Sequence, residues 1–219
     1  MFDKEIAERH LQKLLKEHKI KVIKWSVTSC GRAYWKKRKV KIPKPTNVDR
    51  FGVCMHEIKH IIDGKKGKRF EQEFACDMFA REQMILLGFN NGIQNWDKRT
   101  NWHCLSRIAM AVNRKMDVEK ISINIKEWFN FVDFSKWKNK KVFIRHNDKE
   151  ELGYTIEFYD KMSLMDVKVL LREKGLLIEK SESNDSNYGK WMVKSRHQDF
   201  GTAFSNLTEV AKYYSLTAN

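Results

Sequence analysis

The stretch that decides the fold runs from Thr46 to Asp77 and reads TNVDRFGVCMHEIKHIIDGKKGKRFEQEFACD. Two segments with apolar residues at helical spacing flank a charged, glycine-containing turn at 64–68. The spacing predicts one helix over about 47–63 and a second from Arg69 to Leu87. Because only a five-residue turn joins them, the two helices are expected to be antiparallel neighbours.

Capping residues at the ends of the two segments support both helices. Residues Thr46-Asn47-Val48-Asp49 match a capping box, in which side chains satisfy the free N–H groups of the first turn. Gly64 follows the first helix as a C-cap, and Gly88 ends the second in the same way.

The first helix carries His56-Glu57-Ile58-Lys59-His60. His56 and His60 are four residues apart, so both imidazoles project from one helix face and can grip a single Zn²⁺ ion. Glu57 lies beside them in the position of a general base that activates water. The motif therefore predicts a zinc-dependent hydrolytic site.

The second helix offers the third protein ligand that a catalytic zinc requires. Glu73 and Asp77 are again four residues apart and share a helix face. We expect Glu73 to bind the metal across the helix pair, close to His60. Asp77 would accept the second ring N–H of a ligand histidine and so hold its tautomer.

These two motifs resemble those of the ImmA/IrrE family of metallopeptidases. HEIKH is followed by EFACDMFA, in which Glu73, Cys76, Asp77, Phe79 and Ala80 stand in the family's register. The resemblance covers about residues 20–130. It implies a zincin-like fold and a gluzincin-like zinc endopeptidase of the cytoplasm, encoded by phages, mobile elements or their bacterial hosts and often directed at repressor-type DNA-binding proteins.

Two departures from the family pattern concern the helices. The family usually has small or apolar residues between the histidines, where this chain has Lys59, and the proline common after the second helix is missing after Leu87. Lys59 either points to solvent or, if turned inward, would repel the metal and lower its affinity.

A small sheet is predicted before the helix pair. Residues 3–18 indicate an amphipathic helix, and strands are expected at 20–27, 32–35 and 39–42. The middle strand would be an edge that holds the substrate backbone by strand addition. Its members are Arg32, Ala33, Tyr34 and Trp35. The alternative is an edge strand that its charged neighbours protect from aggregation.

Peptide hydrolysis also needs a donor to the oxyanion of the tetrahedral intermediate. His103 and Tyr34 are the candidates for this catalytic role. Each also has an ordinary structural reading: His103 as a histidine packed beneath Trp102, and Tyr34 as a sheet aromatic.

The rest of the chain is less informative. Helices are predicted over 101–115 and 117–130, with a weak helix-turn-helix pattern between them. Residues 139–219 indicate a separate β-β-α-β-α module for partner or substrate recognition. It is predicted to have strands near 142–144, 154–158 and 191–193, a polar loop at 180–189, and helices over 163–174 and 202–214.

Composition favours a folded protein with a basic N-terminal part. Hydrophobic residues make up 42% and aromatic residues 12% of the chain, too much apolar mass for disorder. The net charge is +15, and residues 1–50 hold 15 Lys and Arg against 5 Asp and Glu, whereas 141–219 hold 12 against 12. Such a field attracts nucleic acid or an acidic protein surface, or is a solvated lysine-rich face.

The N-terminal residues 1–19 are amphipathic and lack the apolar core of a signal peptide. No stretch approaches the roughly 20 apolar residues that cross a bilayer, so no membrane partner is expected. The cysteines form no CxxC pair and are predicted to be buried, reduced thiols of a cytoplasmic protein. They are Cys30, Cys54, Cys76 and Cys104.

The sequence thus favours an α+β zincin-like metallopeptidase domain at 1–138 and a small α+β module at 139–219. Its expected function is zinc-dependent cleavage of a specific cytoplasmic protein. Two alternatives stay open: a catalytically silent zincin scaffold that sequesters a host or phage factor, and a basic DNA-associated protein.

Overall fold

The computed structural model describes residues 2–65, 67–147, 149–160, 164–180, 191–195 and 202–214. These residues form a mixed α+β fold, as the sequence predicted. The helices are α1 (Lys4–Glu17), α2 (Val48–Asp63), α3 (Arg69–Leu86), α4 (Ile93–Asn113), α5 (Ile123–Trp128), α6 (Leu164–Glu173) and α7 (Leu207–Tyr213). The strands are β1 (Lys21–Ser26), β2 (Arg32–Tyr34), β3 (Lys39–Pro43), β4 (Lys140–His146), β5 (Tyr154–Asp160), β6 (Leu176–Lys180), β7 (Trp191–Ser195) and β8 (Thr202–Phe204).

The chain divides into two compact units, and neither is one continuous segment. The first comprises residues 1–111, 119–132 and 144–156, and the second 112–118, 133–143 and 157–219. The first unit contains the predicted metal site. No helix among the described residues is both long and apolar enough to cross a membrane.

In the first unit, a small sheet lies beside helices α1 and α2. Its strand order is β1-β3-β2, with β1 parallel and β2 antiparallel to the central strand. Strand β2 is therefore an edge of this sheet. Buried apolar residues of α1, β3, α2 and α3 form one core cluster, which includes Leu11, Ile42, Phe51, Ile58 and Ala80.

Helix α2 is the central element of this unit. Its first turn is capped by Asn47, whose side chain accepts a hydrogen bond from the N–H of Arg50 at 2.9 Å. The predicted capping box placed this role one residue earlier, at Thr46, and that detail is wrong. Gly64 ends the helix with a φ of 65°, a left-handed conformation that only glycine adopts at little cost. Helix α3 then runs from Arg69, and Gly88 follows it with a φ of 73°.

Helix α4 differs most from the prediction in this unit. It begins at Ile93 rather than at 101, directly after a short 3₁₀ turn at Asn90–Gly92. The polar residues before 101 give no clear helical periodicity, yet Trp96 and Thr100 are buried on the inner face of the helix. The helix predicted over 117–130 is also wrong in extent, since a 3₁₀ turn at Val118–Lys120 precedes the short α5.

The described part of residues 139–219 has more strands than the β-β-α-β-α module predicted there. Strand β6 was missed, and β6, β7 and β8 form an antiparallel sheet in that order. The helix predicted over 202–214 starts late, because residues 202–204 are a strand and Asn206 Oδ1 accepts a hydrogen bond from the N–H of Glu209 at the start of α7. Val167, Leu171 and Val193 belong to a separate core cluster. The predicted polar loop lies, apart from Lys180, outside the described residues.

Candidate metal centre

Two histidines of α2 face one point. His56 and His60 lie one turn apart, and their Nε2 atoms are 3.1 Å from each other. The two ring planes are nearly perpendicular, at 77°, with centroids 4.8 Å apart. His56 is buried and His60 half-buried, so one imidazole is enclosed while the other remains reachable from solvent.

Glu73 of α3 completes a triangle with these nitrogens. Its Oε2 lies 3.3 Å from Nε2 of His56 and 3.5 Å from Nε2 of His60. Ligand atoms about 2.0–2.1 Å from a tetrahedral ion are about 3.3–3.4 Å apart, so the triangle has the size that one ion requires. The helix pair thus brings together the three predicted ligands.

Cys76 also lies at this centre. His56, His60 and Cys76 offer ligand atoms within 4.8 Å of one another, a group that could hold a metal ion. Cys76 was predicted only as a buried, reduced thiol, and its place one turn beyond Glu73 on α3 was the available signal. Burial raises the pKa of its thiol, and the carboxylate of Glu73 adds to this effect.

A single carboxylate, Asp77, orients two imidazoles. Its Oδ1 accepts a hydrogen bond from Nδ1 of His56 at 2.7 Å, and its Oδ2 accepts one from Nδ1 of His103 at 3.3 Å. Asp77 is fully buried, and its backbone oxygen accepts a hydrogen bond from Nε1 of Trp96 at 3.0 Å. With both Nδ1 atoms engaged, each imidazole presents Nε2 to the centre.

His103 reaches the centre from α4. Its Nε2 lies 3.9 Å from Oε2 of Glu73, and its ring centroid is 6.1 Å from that of His56. It also stacks near Trp102, with centroids 6.4 Å apart, so the structural reading and the functional one are compatible.

The charges of the centre are strongly coupled. Burial alone would lower the pKa of His56, but Asp77 and Glu73 outweigh it and raise that pKa to about 10. Burial would raise the pKa of Asp77, but His56 and His103 bring it to about 2. Burial likewise opposes ionisation of Glu73, yet its hydrogen bonds to His56 and His60 hold its pKa far below the usual range. The histidines thus sit in a negative environment that suits a cation.

Glu57 lies beside this triangle and lines the same cleft. Burial raises its pKa above the ordinary value, although the neighbouring histidines oppose the effect. Its side chain packs against Gly31: a Cβ at that position would lie 2.9 Å from Cδ of Glu57 and closer still to its Cγ. A methyl group at position 31 would therefore displace the Glu57 side chain.

Lys59, the charged departure from the family pattern, turns away from the metal ligands. Its Nζ lies 3.0 Å from Oδ1 of Asp63, one turn along α2, and 5.4 Å from the ring centroid of Phe79. The side chain therefore places no positive charge into the triangle.

The centre opens into a cleft of about 820 Å³. Arg32, Ala33 and Trp35 of the predicted substrate-binding edge line it. Tyr34 is not among the described residues that line the cleft. The guanidinium carbon of Arg32 lies 5.8 Å from the centroid of the Tyr34 ring. Of the two oxyanion candidates, the structure brings His103 to the centre and not Tyr34. The prediction of buried thiols is wrong for Cys30, which is exposed and also lines the cleft.

Two further cations of the cleft, Arg99 and Arg107, were missed by the sequence analysis. They flank His103 on α4 at intervals of four residues, which was the available signal once that helix was known to start at Ile93.

Compared with protein-family models, with curated proteins and with solved structures, the chain matches none.

Proposed function

We propose that this protein is a zinc-dependent endopeptidase that cleaves a specific protein of the cytoplasm. The observation that carries the proposal is the triangle of His56 Nε2, His60 Nε2 and Glu73 Oε2, with separations of 3.1–3.5 Å, beside the buried carboxylate of Glu57. Two histidines and a carboxylate with room for a further ligand make up the donor set of many catalytic zinc sites.

Glu73 is the preferred third ligand over Cys76. Its carboxylate is ionised and lies at hydrogen-bond range from both Nε2 atoms, whereas burial keeps the Cys76 thiol protonated. A ligand must be deprotonated to bind, so the thiol would have to release a proton to the solvent whereas the carboxylate would not.

A zinc ion held by these residues would act as a Lewis acid that activates water and polarises a peptide carbonyl. Glu57 would take a proton from the attacking water and pass it to the amide nitrogen as the bond breaks. Burial raises its pKa, which makes the carboxylate a better proton acceptor. His103, whose Nδ1 donates to Asp77, would stand with its Nε2 toward the developing oxyanion.

Strand β2 supports the endopeptidase reading. It is an edge strand, and two of its residues, Arg32 and Ala33, line the cleft above the centre. Its unpaired backbone groups would bind an extended peptide as an added strand. Pairing with an edge strand needs no chain terminus, so a segment in the middle of a chain can bind in this way. The resemblance to ImmA/IrrE peptidases extends the proposal to repressor-type DNA-binding proteins as substrates.

Metal content tests the first half of the proposal. Purified protein should carry about one equivalent of zinc by elemental analysis, or take it up on addition. His56→Ala should lose the metal, while Arg9→Gln, an exposed change on α1, should keep it. A wild-type protein that neither contains zinc nor takes it up would contradict the proposal.

Cleavage tests the second half. Wild-type protein should generate new peptide termini in a cytoplasmic protein extract, detected by mass spectrometry, and a chelator should abolish them. Glu57→Gln should bind zinc as before and lose at least about a hundredfold in rate, because only the proton acceptor is removed. Zinc binding without any such cleavage would favour a sequestering scaffold.

A further inference from the structure

We propose that Arg99 and Arg107 form a carboxylate-binding subsite in the cleft, so that the peptide bound beside the metal centre carries acidic residues or its free C terminus there. The inference rests on the proposed peptidase function and names the chemistry of its substrate.

The two arginines share one face of α4 with a residue of the metal centre. Arg99, His103 and Arg107 follow one another at intervals of four residues, and all three line the cleft. Side chains at this spacing project from one side of a helix. Because His103 contacts Asp77 and approaches Glu73, the face that carries it also carries the arginines toward the bound peptide.

Neither guanidinium group is neutralised by an ion pair with a described residue, although the positive charge of Arg99 opposes the rise that burial causes in the pKa of Glu57. Among the described residues neither Arg99 nor Arg107 forms an ion pair, although both are half-buried. By contrast, Nε of Arg81 lies 2.8 Å from Oδ1 of Asp97, and Nε of Arg69, which also lines the cleft, lies 3.5 Å from Oε1 of Glu73. Partly desolvated charges without a partner are costly, and an anionic ligand would relieve that cost.

Arg99 is held in place before any ligand arrives. Its guanidinium carbon lies 4.6 Å from the ring centroid of Trp96, a fully buried residue whose indole N–H bonds to the backbone of Asp77. A stacked guanidinium loses less conformational entropy when it binds a carboxylate. The same indole thus connects the subsite to the residue that orients His56.

The cleft as a whole is cationic. Among the described residues, its charged lining beyond the metal centre consists of Arg32, Lys65, Arg69, Arg99 and Arg107. The carboxylates that line it are Glu57 and Glu73, and both belong to the metal centre. A peptide that enters meets positive charge on several sides, which favours acidic side chains and disfavours basic ones.

The ligand chemistry fits a peptide carboxylate better than nucleic acid. Single-stranded nucleic acid is held by aromatic platforms on which successive bases stack. Apart from its histidines, the described lining of the cleft has one aromatic residue, Trp35. A guanidinium group donates two parallel hydrogen bonds to a carboxylate, and the edge strand offers hydrogen-bond partners to the backbone of a peptide.

The spacing of the arginines sets a spacing in the substrate. Eight residues of α-helix separate the Cα atoms of Arg99 and Arg107 by about 12 Å. An extended peptide rises about 3.3 Å per residue, so the two carboxylates should lie roughly four residues apart.

The test uses full-length Glu57→Gln protein, so that binding is measured without cleavage. Two pools of short amidated, fluorescein-labelled peptides are random except at two positions roughly four residues apart. Those positions are Asp or Glu in one pool and Asn or Gln in the other. By fluorescence anisotropy the acidic pool should bind about tenfold more tightly. Arg99→Gln combined with Arg107→Gln should abolish the difference, and Arg9→Gln, which removes a charge outside the cleft, should preserve it.

Further arms identify the source of the carboxylate. A third pool carries Asn or Gln at the two positions and a free C terminus. If it binds as tightly as the acidic pool, the subsite binds the terminal carboxylate. If it binds as weakly as the amidated Asn or Gln pool, the subsite binds acidic side chains. Equal binding of the two amidated pools and of the free-terminus pool would overturn the proposal. So would a labelled single-stranded oligonucleotide that binds more tightly than any pool and loses that binding in the double arginine variant.

The two proposals fail in different ways. Selective binding of carboxylate peptides without any cleavage by the wild-type protein would overturn the peptidase and leave the subsite standing. Cleavage that shows no preference for carboxylates, with equal binding of all pools, would overturn the subsite and leave the peptidase standing.

Discussion

Asp77 is the residue on which the centre depends most. It has no exposed surface, and its two oxygens accept hydrogen bonds from Nδ1 of His56 and Nδ1 of His103, so one carboxylate orients both rings. A buried carboxylate with two imidazole partners avoids the cost of an isolated buried charge. The metal ligand His56 and the candidate oxyanion donor His103 are therefore held by the same group.

The choice between Glu73 and Cys76 is testable by substitution. Glu73→Gln should weaken zinc binding by more than about a hundredfold, because an anionic ligand becomes neutral. Cys76→Ser should change it little, since the protonated thiol is not a ligand. Competition with a chromogenic chelator measures both affinities. The reverse order of effects would make Cys76 the ligand.

Zinc affinity should depend on pH through His56. Asp77 and Glu73 raise the pKa of its imidazole to about 10 in the metal-free protein, against a burial effect of the opposite sign. The ring is therefore protonated at neutral pH and must release that proton to bind metal. Affinity should rise by about tenfold per pH unit between pH 6 and 8. Chelator competition across that interval checks this, and a flat profile would contradict it.

Gly31→Ala tests whether the position of Glu57 matters. The added methyl group would collide with the Glu57 side chain, whose Cδ lies 2.9 Å from the ideal Cβ position. We expect cleavage to slow by about tenfold or more while zinc content stays unchanged, because the proton acceptor shifts and the ligands do not. Elemental analysis of the same preparation serves as the control. Full activity would show that Glu57 accommodates the methyl group.

At the scale of elements, the α2–α3 hairpin creates the site. His56 and His60 come from one helix, and Glu73 and Asp77 from the other. Each pair is spaced by four residues, so two facing helix stripes supply the ligands and the orienting carboxylate. Helix α4 adds His103 and buries Trp96 against this hairpin.

Gly52 sets how closely these helices approach. A Cβ there would lie 2.5 Å from Cζ3 of Trp96 and within contact of Met84, both fully buried. Gly52→Ala would gain about 1 kcal/mol of helix propensity but lose about 1–3 kcal/mol or more to overpacking. We therefore expect a net decrease in the free energy of unfolding, measured by urea denaturation. A more stable variant would contradict this packing.

At the scale of the whole molecule, the chain has two compact units with their own buried clusters. The first unit includes the metal centre, and the second includes the cluster around Val167 and Leu171. Charge is uneven as well: the net charge of +15 comes mainly from the N-terminal and central parts, since residues 141–219 are balanced.

Damage to the second core should leave the metal centre intact. Leu171 is fully buried, and Leu171→Ala should cost about 2–5 kcal/mol of stability in its own unit. We expect an early unfolding transition by differential scanning calorimetry, with zinc content unchanged at lower temperature. Loss of zinc from the folded variant would show that the two units are coupled.

Local signals in the sequence predicted the hairpin closely. The observed helices, Val48–Asp63 and Arg69–Leu86, lie within one residue of the predicted ranges, because caps and glycines act on the residues beside them. Signals were weaker where burial overrides composition. Helix α4 begins in a polar stretch, and β8 replaces the start of a predicted helix.

By itself, the sequence determined the two helices and the four-residue spacings that make His56, His60, Glu73 and Asp77 candidates for one centre, since helical periodicity acts within a single element. Only the tertiary structure decided which other residues join them. It placed His103, Arg99 and Arg107 of α4 and Cys76 of α3 around the centre, Tyr34 outside the cleft lining, and Lys59 away from the metal ligands. Contacts between elements depend on how helices and strands pack, and no spacing along the chain records that.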